Sequence, residues 1–92
     1  MDLYIATVGE EANLCATKLI MTLRDEGLLC EKDICERSLK AQFKYADKKK
    51  ARFVLTIGDD EVKNNCAKLK DMENGEETEV GLKAEEIVNK IF

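Results

Sequence analysis

The stretch RFVLTIG, residues 52–58, is a nearly continuous apolar run that is rich in β-branched side chains. A strand with one solvated face alternates apolar and polar residues, whereas an unbroken apolar run is typical of a strand covered on both faces. We therefore predict that residues 52–58 form a central strand with helices on both sides of the sheet.

The chain before this strand has the pattern of a βαβ unit. The apolar run LYIATVG, residues 3–9, predicts a buried strand, and LLCEKDI, residues 28–34, predicts a second. Between them, one helical stripe of apolar side chains and two glutamates in the first turn predict a helix that stops at Gly27. Such a unit is right-handed almost without exception.

The segment ERSLKAQFKYADKKKA, residues 36–51, predicts a second helix. Ser38 is a favourable N-cap, and an apolar stripe formed by Leu39, Phe43 and Ala46 is expected to pack on the sheet. The cations Lys40, Lys44 and Lys48 follow at four-residue spacing, so we expect them to line the outside of this helix.

The chain after the central strand predicts a hairpin and a last helix. We expect Asp59 to cap a short helical turn that leads into strand four. The dipeptide Asn74-Gly75 is a strong hairpin signal, which makes strands four and five antiparallel neighbours. The apolar stripe in residues 83–92 predicts the last helix. The order β-α-β-α-β-β-α predicts one α/β domain over residues 1–92, with a mixed five-stranded sheet.

Charge is distributed unevenly along this acidic chain, whose formal net charge is −4. Residues 1–35 and 52–92 each carry a net charge of −4, while residues 36–51 carry +4. This basic island can attract a polyanion locally, although a net acidic domain is expected to bind nucleic acid weakly by charge alone. With no apolar run of membrane-spanning length and no signal-peptide pattern, we expect a cytoplasmic protein without a membrane partner.

The reactive side chains of the sequence argue against catalysis. The chain has four cysteines, no Cys-x-x-Cys pair and no histidine, so we expect no zinc site and no Cys–His or Ser–His catalytic pair. Cys15 and Cys30 fall on apolar faces, where a free cysteine packs as a small hydrophobe. We expect no catalytic residue within the chain.

The predicted carboxyl ends of the strands are where an open α/β sheet gathers ligands. The acidic clusters Glu10-Glu11 and Asp59-Asp60 could hold Mg²⁺ there, as in a receiver domain, but the predicted hairpin lacks the later parallel strand that a receiver requires. Gly9 lacks the further glycines of a dinucleotide-binding loop. We therefore expect neither a metal nor a cofactor.

A different set of polar residues is suited to reading the edges of RNA bases. Glu61 can accept hydrogen bonds from exocyclic amino groups, Lys68 and Lys70 can donate to base carbonyls or phosphates, and Arg37 can pair with guanine or phosphate. Single-stranded loops expose base edges in this way. The competing interpretation is that Lys and Glu on the hairpin form ordinary solvated cross-strand pairs.

Residues 27–80 resemble the C-terminal anticodon-binding domain of class II aminoacyl-tRNA synthetases, most closely that of the histidyl-tRNA synthetases. The resemblance rests on Arg-Ser-Leu-Lys at 37–40, Lys-Tyr-Ala-Asp at 44–47, Ile-Gly at 57–58 with Glu61 three residues later, and Leu-Lys-Asp at 69–71. It implies a three-layer α/β/α domain with strand order 2-1-3-4-5 and strand four antiparallel, which binds a tRNA anticodon loop.

The resemblance also implies roles for individual residues. Glu61 and Lys70 match base-reading positions, which we expect to lie side by side, and Glu36 and Arg37 match a loop that approaches the anticodon. We expect Lys40 and Lys44, with Lys48, to attract the RNA backbone. We include Lys68 with the RNA-binding residues.

The ATP-binding motifs and catalytic domain of a synthetase do not occur in these residues. We expect this chain to be a fragment of a longer synthetase, with the catalytic domain of that enzyme as a partner. The synthetases that it resembles are homodimers, so we expect a homodimeric parent enzyme. The alternative is a stand-alone paralogue that acts as a regulatory RNA- or protein-interaction module.

Overall fold

The structure, a computed structural model, describes residues 1–34 and 37–92. Its elements, in chain order, are β1 (Leu3–Val8), α1 (Glu10–Asp25), β2 (Cys30–Lys32), α2 (Leu39–Lys48), β3 (Phe53–Gly58), α3 (Asp59–Asn64), β4 (Cys66–Asp71), β5 (Glu77–Gly81) and α4 (Ala84–Ile91). Within those described ranges, no helix is both long and apolar enough to cross a bilayer.

The five strands form one mixed sheet in the order β2-β1-β3-β4-β5. The β1 strand pairs in parallel with β2 and β3, and β4 pairs antiparallel with β3 and β5. The predicted strand order, the antiparallel β4 and the central position of residues 52–58 are confirmed. The carboxyl ends of β1, β2 and β3 therefore meet at one edge, which we call the C-terminal edge of the sheet.

The core has two layers, one on each face of the sheet. Buried side chains of α1 and α4 pack on one face against aliphatic side chains of β1, β3 and β4, represented by Ile5, Leu55 and Leu69. Ala46 of α2 packs on the other face with Tyr4 and Val54. Helices on both faces are as predicted, and they give the three layers of the fold.

Local signals in the sequence have their expected structural effects. The Ser38 hydroxyl accepts a hydrogen bond from the Ala41 N–H at 3.2 Å and so caps α2. Gly27 follows the end of α1 with a φ of 93°, a conformation that glycine adopts readily. Residues 72–76 connect β4 to β5, and the hairpin predicted from Asn74-Gly75 is confirmed.

Two local predictions are wrong. The second strand covers Cys30–Lys32 rather than residues 28–34. At its start, the Leu28 N–H still bonds to the Leu23 carbonyl at the end of α1; at its end, the Asp33 side chain turns inward and binds Arg37. Asp59 does not cap its own short helix. It is the first residue of α3, and its carboxylate instead accepts a hydrogen bond from Ala12 in the first turn of α1.

Candidate functional site

A cleft of about 750 Å³ lies at the C-terminal edge, between the β1–α1 and β2–α2 connections. Parallel strands deliver polar loop residues to this edge, where open α/β sheets bind ligands. The residues that line the cleft combine two cations and two carboxylates with polar, small and apolar side chains. They include Gly9, Asn13, Lys32, Arg37 and Ser38.

Arg37 lines the cleft in a fixed orientation. Its Nε donates to Asp33 Oδ1 at 2.9 Å, and its Nη2 lies 3.4 Å from the hydroxyl of Tyr4. The guanidinium also stacks over the ring of Tyr45, with its central carbon 4.6 Å from the ring centre. The side chain of Arg37 is 33% exposed and that of Asp33 is 1% exposed. The ion pair therefore anchors Arg37 from the protein side while part of the cation faces solvent.

The two tyrosines beneath Arg37 form a small aromatic platform. Their ring centres are 5.5 Å apart, and the Tyr45 hydroxyl donates to Glu31 Oε1 at 3.2 Å. Burial, with the nearby Asp33 carboxylate, raises the pKa of Tyr4 to about 12. Tyr4 is therefore a neutral phenol at physiological pH, and its oxygen can accept the bond from Arg37.

Gln42 joins Thr7 of β1 to the main chain of Arg37, just before α2. It was not identified from the sequence. It is fully buried, its Oε1 accepts from the Thr7 N–H at 2.8 Å, and its Nε2 donates to the carbonyls of Thr7 at 2.9 Å and Arg37 at 2.7 Å. The available signal was its position: Gln42 lies among Leu39, Phe43 and Ala46 on the buried stripe of α2. A polar residue there needs internal hydrogen bonds.

Asp59 joins the β3–α3 connection to the start of α1. Its Oδ1 accepts from the Ala12 N–H at 3.1 Å, which satisfies one of the amides that a helix leaves unpaired in its first turn. Gly9, just before α1, has a φ of 109°. No group of three or more His, Cys, Asp or Glu side chains in residues 1–34 and 37–92 is arranged to hold a metal ion.

We expect Gly9→Ala to lower the free energy of unfolding by about 2–3 kcal/mol. The positive φ strains any L-residue, and a Cβ at this position would meet the Asp59 carboxylate. Urea unfolding measures the loss. Gly27→Ala is the matched control, because Gly27 also has a positive φ but its Cβ would enter open space. Equal losses for the two variants would contradict a close contact between Gly9 and Asp59.

Glu61 lies at the exit of β3, as the sequence predicted. Its Oε1 accepts from the Gly58 N–H at 2.8 Å, so one oxygen stabilises the start of α3. Burial, followed by the neighbouring Glu79 and Glu61 carboxylates, raises the pKa of the Cys66 thiol. The register that pairs Thr56 with Lys68 places Cys66 opposite Gly58, so Glu61, which binds the Gly58 N–H, is close to the first residue of β4.

Lys68 and Lys70 share one face of β4, which we call the hairpin face together with Glu77 and Glu79 of β5. In the antiparallel pairing Lys68 lies opposite Glu79, and Lys70 lies opposite Glu77. These residues point to the α2 side of the sheet, and all except the partly buried Lys70 are exposed. The cross-strand interpretation is thus supported by the register, although the face is open to a ligand.

The predicted side-by-side arrangement of Glu61 and Lys70 is wrong. Lys70 pairs with Val54, which is four residues before Gly58, so it lies about 13 Å along the strand from the exit of β3. Its Nζ lies 5.4 Å from the ring centre of Phe43 on α2. Lys68 pairs two residues closer to the exit, opposite Thr56, and is the lysine of this face nearer to Glu61.

The exposed residues Lys40, Lys44 and Lys48 form a lysine ridge along the outside of α2. Helical geometry places Lys40 about 60° and Lys44 about 100° around the axis from Phe43. Lys40 is therefore the ridge lysine closest in angle to Phe43, whose ring centre lies 5.4 Å from Lys70 Nζ. The structure therefore brings the predicted cations of α2 and β4 to one side of the sheet.

The remaining predictions have mixed outcomes. Arg37 lies in the cleft, on the other side of α2 from the hairpin face, and is held by Asp33. Glu36 lies outside the described residues, so its role stays a prediction. Cys30 is buried in the core as predicted, whereas Cys15 is only partly buried; burial raises the pKa of both thiols.

Comparisons with known proteins agree with this geometry. A family model described as "Anticodon binding domain" matches residues 2–91. The chain is 48% identical over 92 residues to a histidine–tRNA ligase of Clostridioides difficile, covering 98% of this chain and 22% of that protein. It is 49% identical over 81 residues to a histidine–tRNA ligase of Acetivibrio thermocellus, covering 88% of this chain and 19% of that protein.

A solved structure of a histidyl-tRNA synthetase has a region with the same fold as this chain. The apo histidyl-tRNA synthetase of Staphylococcus aureus superposes with a TM-score of 0.90 at 37% identity, covering 99% of this chain and 23% of that chain. The chain thus spans about a fifth of the length of the curated relatives that it matches.

Proposed function

Because this chain belongs to the anticodon-binding domain family, we propose that it is the anticodon-recognition unit of a histidine–tRNA ligase. The observation that supports this most directly is the family match over residues 2–91, a range that includes every strand and helix described above. The named relatives with nearly half of their aligned residues identical are histidine–tRNA ligases, which favours this proposal over a regulatory paralogue.

In the proposed RNA-binding surface, one set of residues attracts the phosphate backbone and another set contacts the base edges. The lysine ridge is exposed, so it supplies diffuse attraction for phosphates. Glu61 and Lys68 offer an acceptor and a donor near the exit of β3, where an unstacked base can present its edge. Lys70 lies farther from the exit of β3. Its contact with Phe43 of α2 favours a role in attracting phosphates together with the lysine ridge.

The proposal places the chemical steps of aminoacylation in another part of a longer protein. The relatives are about five times as long as the stretch they share with this chain, and their name describes the ligation of histidine to tRNA. We extend the proposal to a homodimeric, cytoplasmic parent enzyme, as the class II resemblance implies. In it, this domain would bind the anticodon loop while the catalytic domain acts on the other end of the tRNA.

The test is binding of the 92-residue chain to two RNA stem-loops, one with a histidine anticodon and one with the same loop bases scrambled. Fluorescence anisotropy at fixed salt gives both dissociation constants. We expect at least about tenfold tighter binding of the histidine stem-loop, because base contacts discriminate by about 1–3 kcal/mol each. Equal affinities would contradict anticodon recognition by this chain.

Variants of the reading residues sharpen the same test. We expect Glu61→Ala and Lys68→Ala to reduce the preference for the histidine stem-loop by about fivefold or more, since each removes a group that pairs with a base edge. Lys90→Ala is the matched control, because Lys90 is an exposed lysine of α4 on the opposite side of the sheet. A preference that survives in both reading variants would place recognition elsewhere on the surface.

A further inference from the structure

We propose that Asp33 and Tyr45 are positioning residues that hold Arg37 in a fixed orientation in the cleft before RNA arrives. The inference rests on the proposed function, and it extends recognition from the hairpin face to the opposite side of α2. Of these three residues, the sequence resemblance assigns a role only to Arg37. The geometry adds Asp33 and Tyr45, whose contacts would orient Arg37 for that role.

The first step concerns the freedom of the arginine side chain. A surface arginine has many rotamers, and a ligand that orders it loses affinity through the lost entropy. Here Asp33 binds both the main-chain N–H of Arg37 and its Nε, each at 2.9 Å. These two bonds fix the main chain and the Nε of Arg37 relative to one buried carboxylate.

The second step concerns the plane of the guanidinium. Tyr45 lies under it at 4.6 Å, and Tyr4 lies beside Nη2. Tyr45 is in turn held by its contact with the Tyr4 ring and by the bond from its hydroxyl to Glu31. An arginine stacked in this way presents a planar donor edge in one direction, which is the geometry that recognises a phosphate or a guanine.

The third step concerns charge. Asp33 neutralises Arg37, so the pair adds little to the long-range attraction of the domain. A contribution from Arg37 to RNA binding must then come from directed contacts rather than from net charge. Asp33→Asn separates these two effects, because it raises the net charge by one while it weakens the anchor of Arg37.

The experiment compares the two stem-loops for the full 92-residue chain and for Asp33→Asn. We expect Asp33→Asn to bind the histidine stem-loop about tenfold more weakly and to lose part of its preference over the scrambled loop. A purely electrostatic role predicts tighter binding of both RNAs. Equal or tighter binding by a folded Asp33→Asn protein would overturn the inference.

Tyr45 provides a second route that leaves the charge unchanged and keeps Asp33. We expect Tyr45→Leu, which removes the aromatic ring under Arg37, to reduce the preference by about threefold to tenfold. Tyr45→Phe is the matched control, since it keeps the ring and its contact with Tyr4 and loses only the exposed bond to Glu31, so we expect it to retain most of the wild-type preference. Identical behaviour of the Leu and Phe variants would contradict positioning by the ring.

A spectroscopic readout separates positioning from general stability. The Nε–H resonance of Arg37 in a ¹H–¹⁵N spectrum should be visible and protected in the wild-type chain and should broaden or shift in Asp33→Asn. Thermal unfolding of each variant shows whether it is folded. If the wild-type chain does not distinguish the two stem-loops, the proposed function fails; if it does and both positioning variants match it, only this inference fails.

Discussion

Gln42→Met should lower the free energy of unfolding by about 4 kcal/mol, the largest stability loss that we expect from a single substitution in α2. Gln42 makes three hydrogen bonds in a fully buried position, and a methionine of similar length makes none of them. Each buried polar group left unpaired costs about 1–3 kcal/mol. A domain of this size is stable by only about 5–15 kcal/mol, so a large part of its stability is at risk.

The stability of the domain depends on Gln42 because β2 ends at Lys32, before it reaches Thr7 of β1. The Asp33 N–H bonds to the Ile5 carbonyl at 3.3 Å, near the point where β2 ends. Thr7 lies two residues beyond Ile5, so its peptide groups point in the same direction, past the end of β2. The side-chain amide of Gln42 takes the place of the missing strand backbone, since it both accepts from and donates to Thr7.

Urea unfolding of Gln42→Met and of the control Lys44→Met tests this interpretation. Lys44 is exposed on the same helix, so we expect its substitution to change stability by no more than about 0.5 kcal/mol. The melting temperature of Gln42→Met should fall by about 15–30 °C. Similar unfolding midpoints for the two variants would mean that the three bonds of Gln42 contribute no net stability.

Replacing Lys40, Lys44 and Lys48 together by Gln should weaken binding of the histidine stem-loop about 100-fold at about 0.1 M salt. Each lysine that neutralises a phosphate contributes about 0.7–0.9 to the slope of log affinity against log salt. Removal of three such contacts should flatten the slope by about two to three. The preference for the histidine anticodon over the scrambled loop should remain, because in the proposed binding mode the ridge would contact the RNA backbone rather than the bases.

The control is a triple variant with the same change in net charge, Lys18, Lys83 and Lys90 to Gln. Lys18 lies on α1, Lys90 lies on α4 and Lys83 precedes α4, and all three are exposed. Those helices pack on the face of the sheet opposite α2. In the ridge variant, the loss of like-charge neighbours at four-residue spacing offsets the loss of the Lys48 cation from the last turn, so we expect little change in the stability of the helix. Equal slopes for the two triple variants would contradict a local role for the ridge.

The sequence was sufficient to predict the sheet and its covering helices. The unbroken run at 52–58 predicted a strand buried on both faces, and Asn74-Gly75 predicted the antiparallel hairpin; both features are local and need no tertiary information. The caps at Ser38 and Gly27 were likewise predicted from short-range chemistry. Periodicity thus predicts the elements and most of the core.

The connections between distant residues could not be predicted in this way. Asp59 caps the start of α1 by binding an amide 47 residues earlier in the chain, and nothing in its local sequence distinguishes that role from capping its own helix. Asp33 was overlooked because its burial depends on a partner that only the fold provides, whereas the position of Gln42 on the apolar stripe of α2 indicated its burial but not its partners. The separation of Glu61 from Lys70 follows from antiparallel register, since each step along β4 returns toward the start of β3.

The alternation of charge on the hairpin face restricts which way an RNA can lie. Glu77 and Glu79 stand directly across from the two lysines of β4, so the outer margin of this face repels phosphates, while the three cations of α2 attract them. In the proposed binding mode, a single strand would therefore run with its sugar–phosphate chain along α2 and its bases turned toward the sheet. The acidic margin would repel the second phosphate chain of a double helix, so the proposal favours single-stranded RNA on this face.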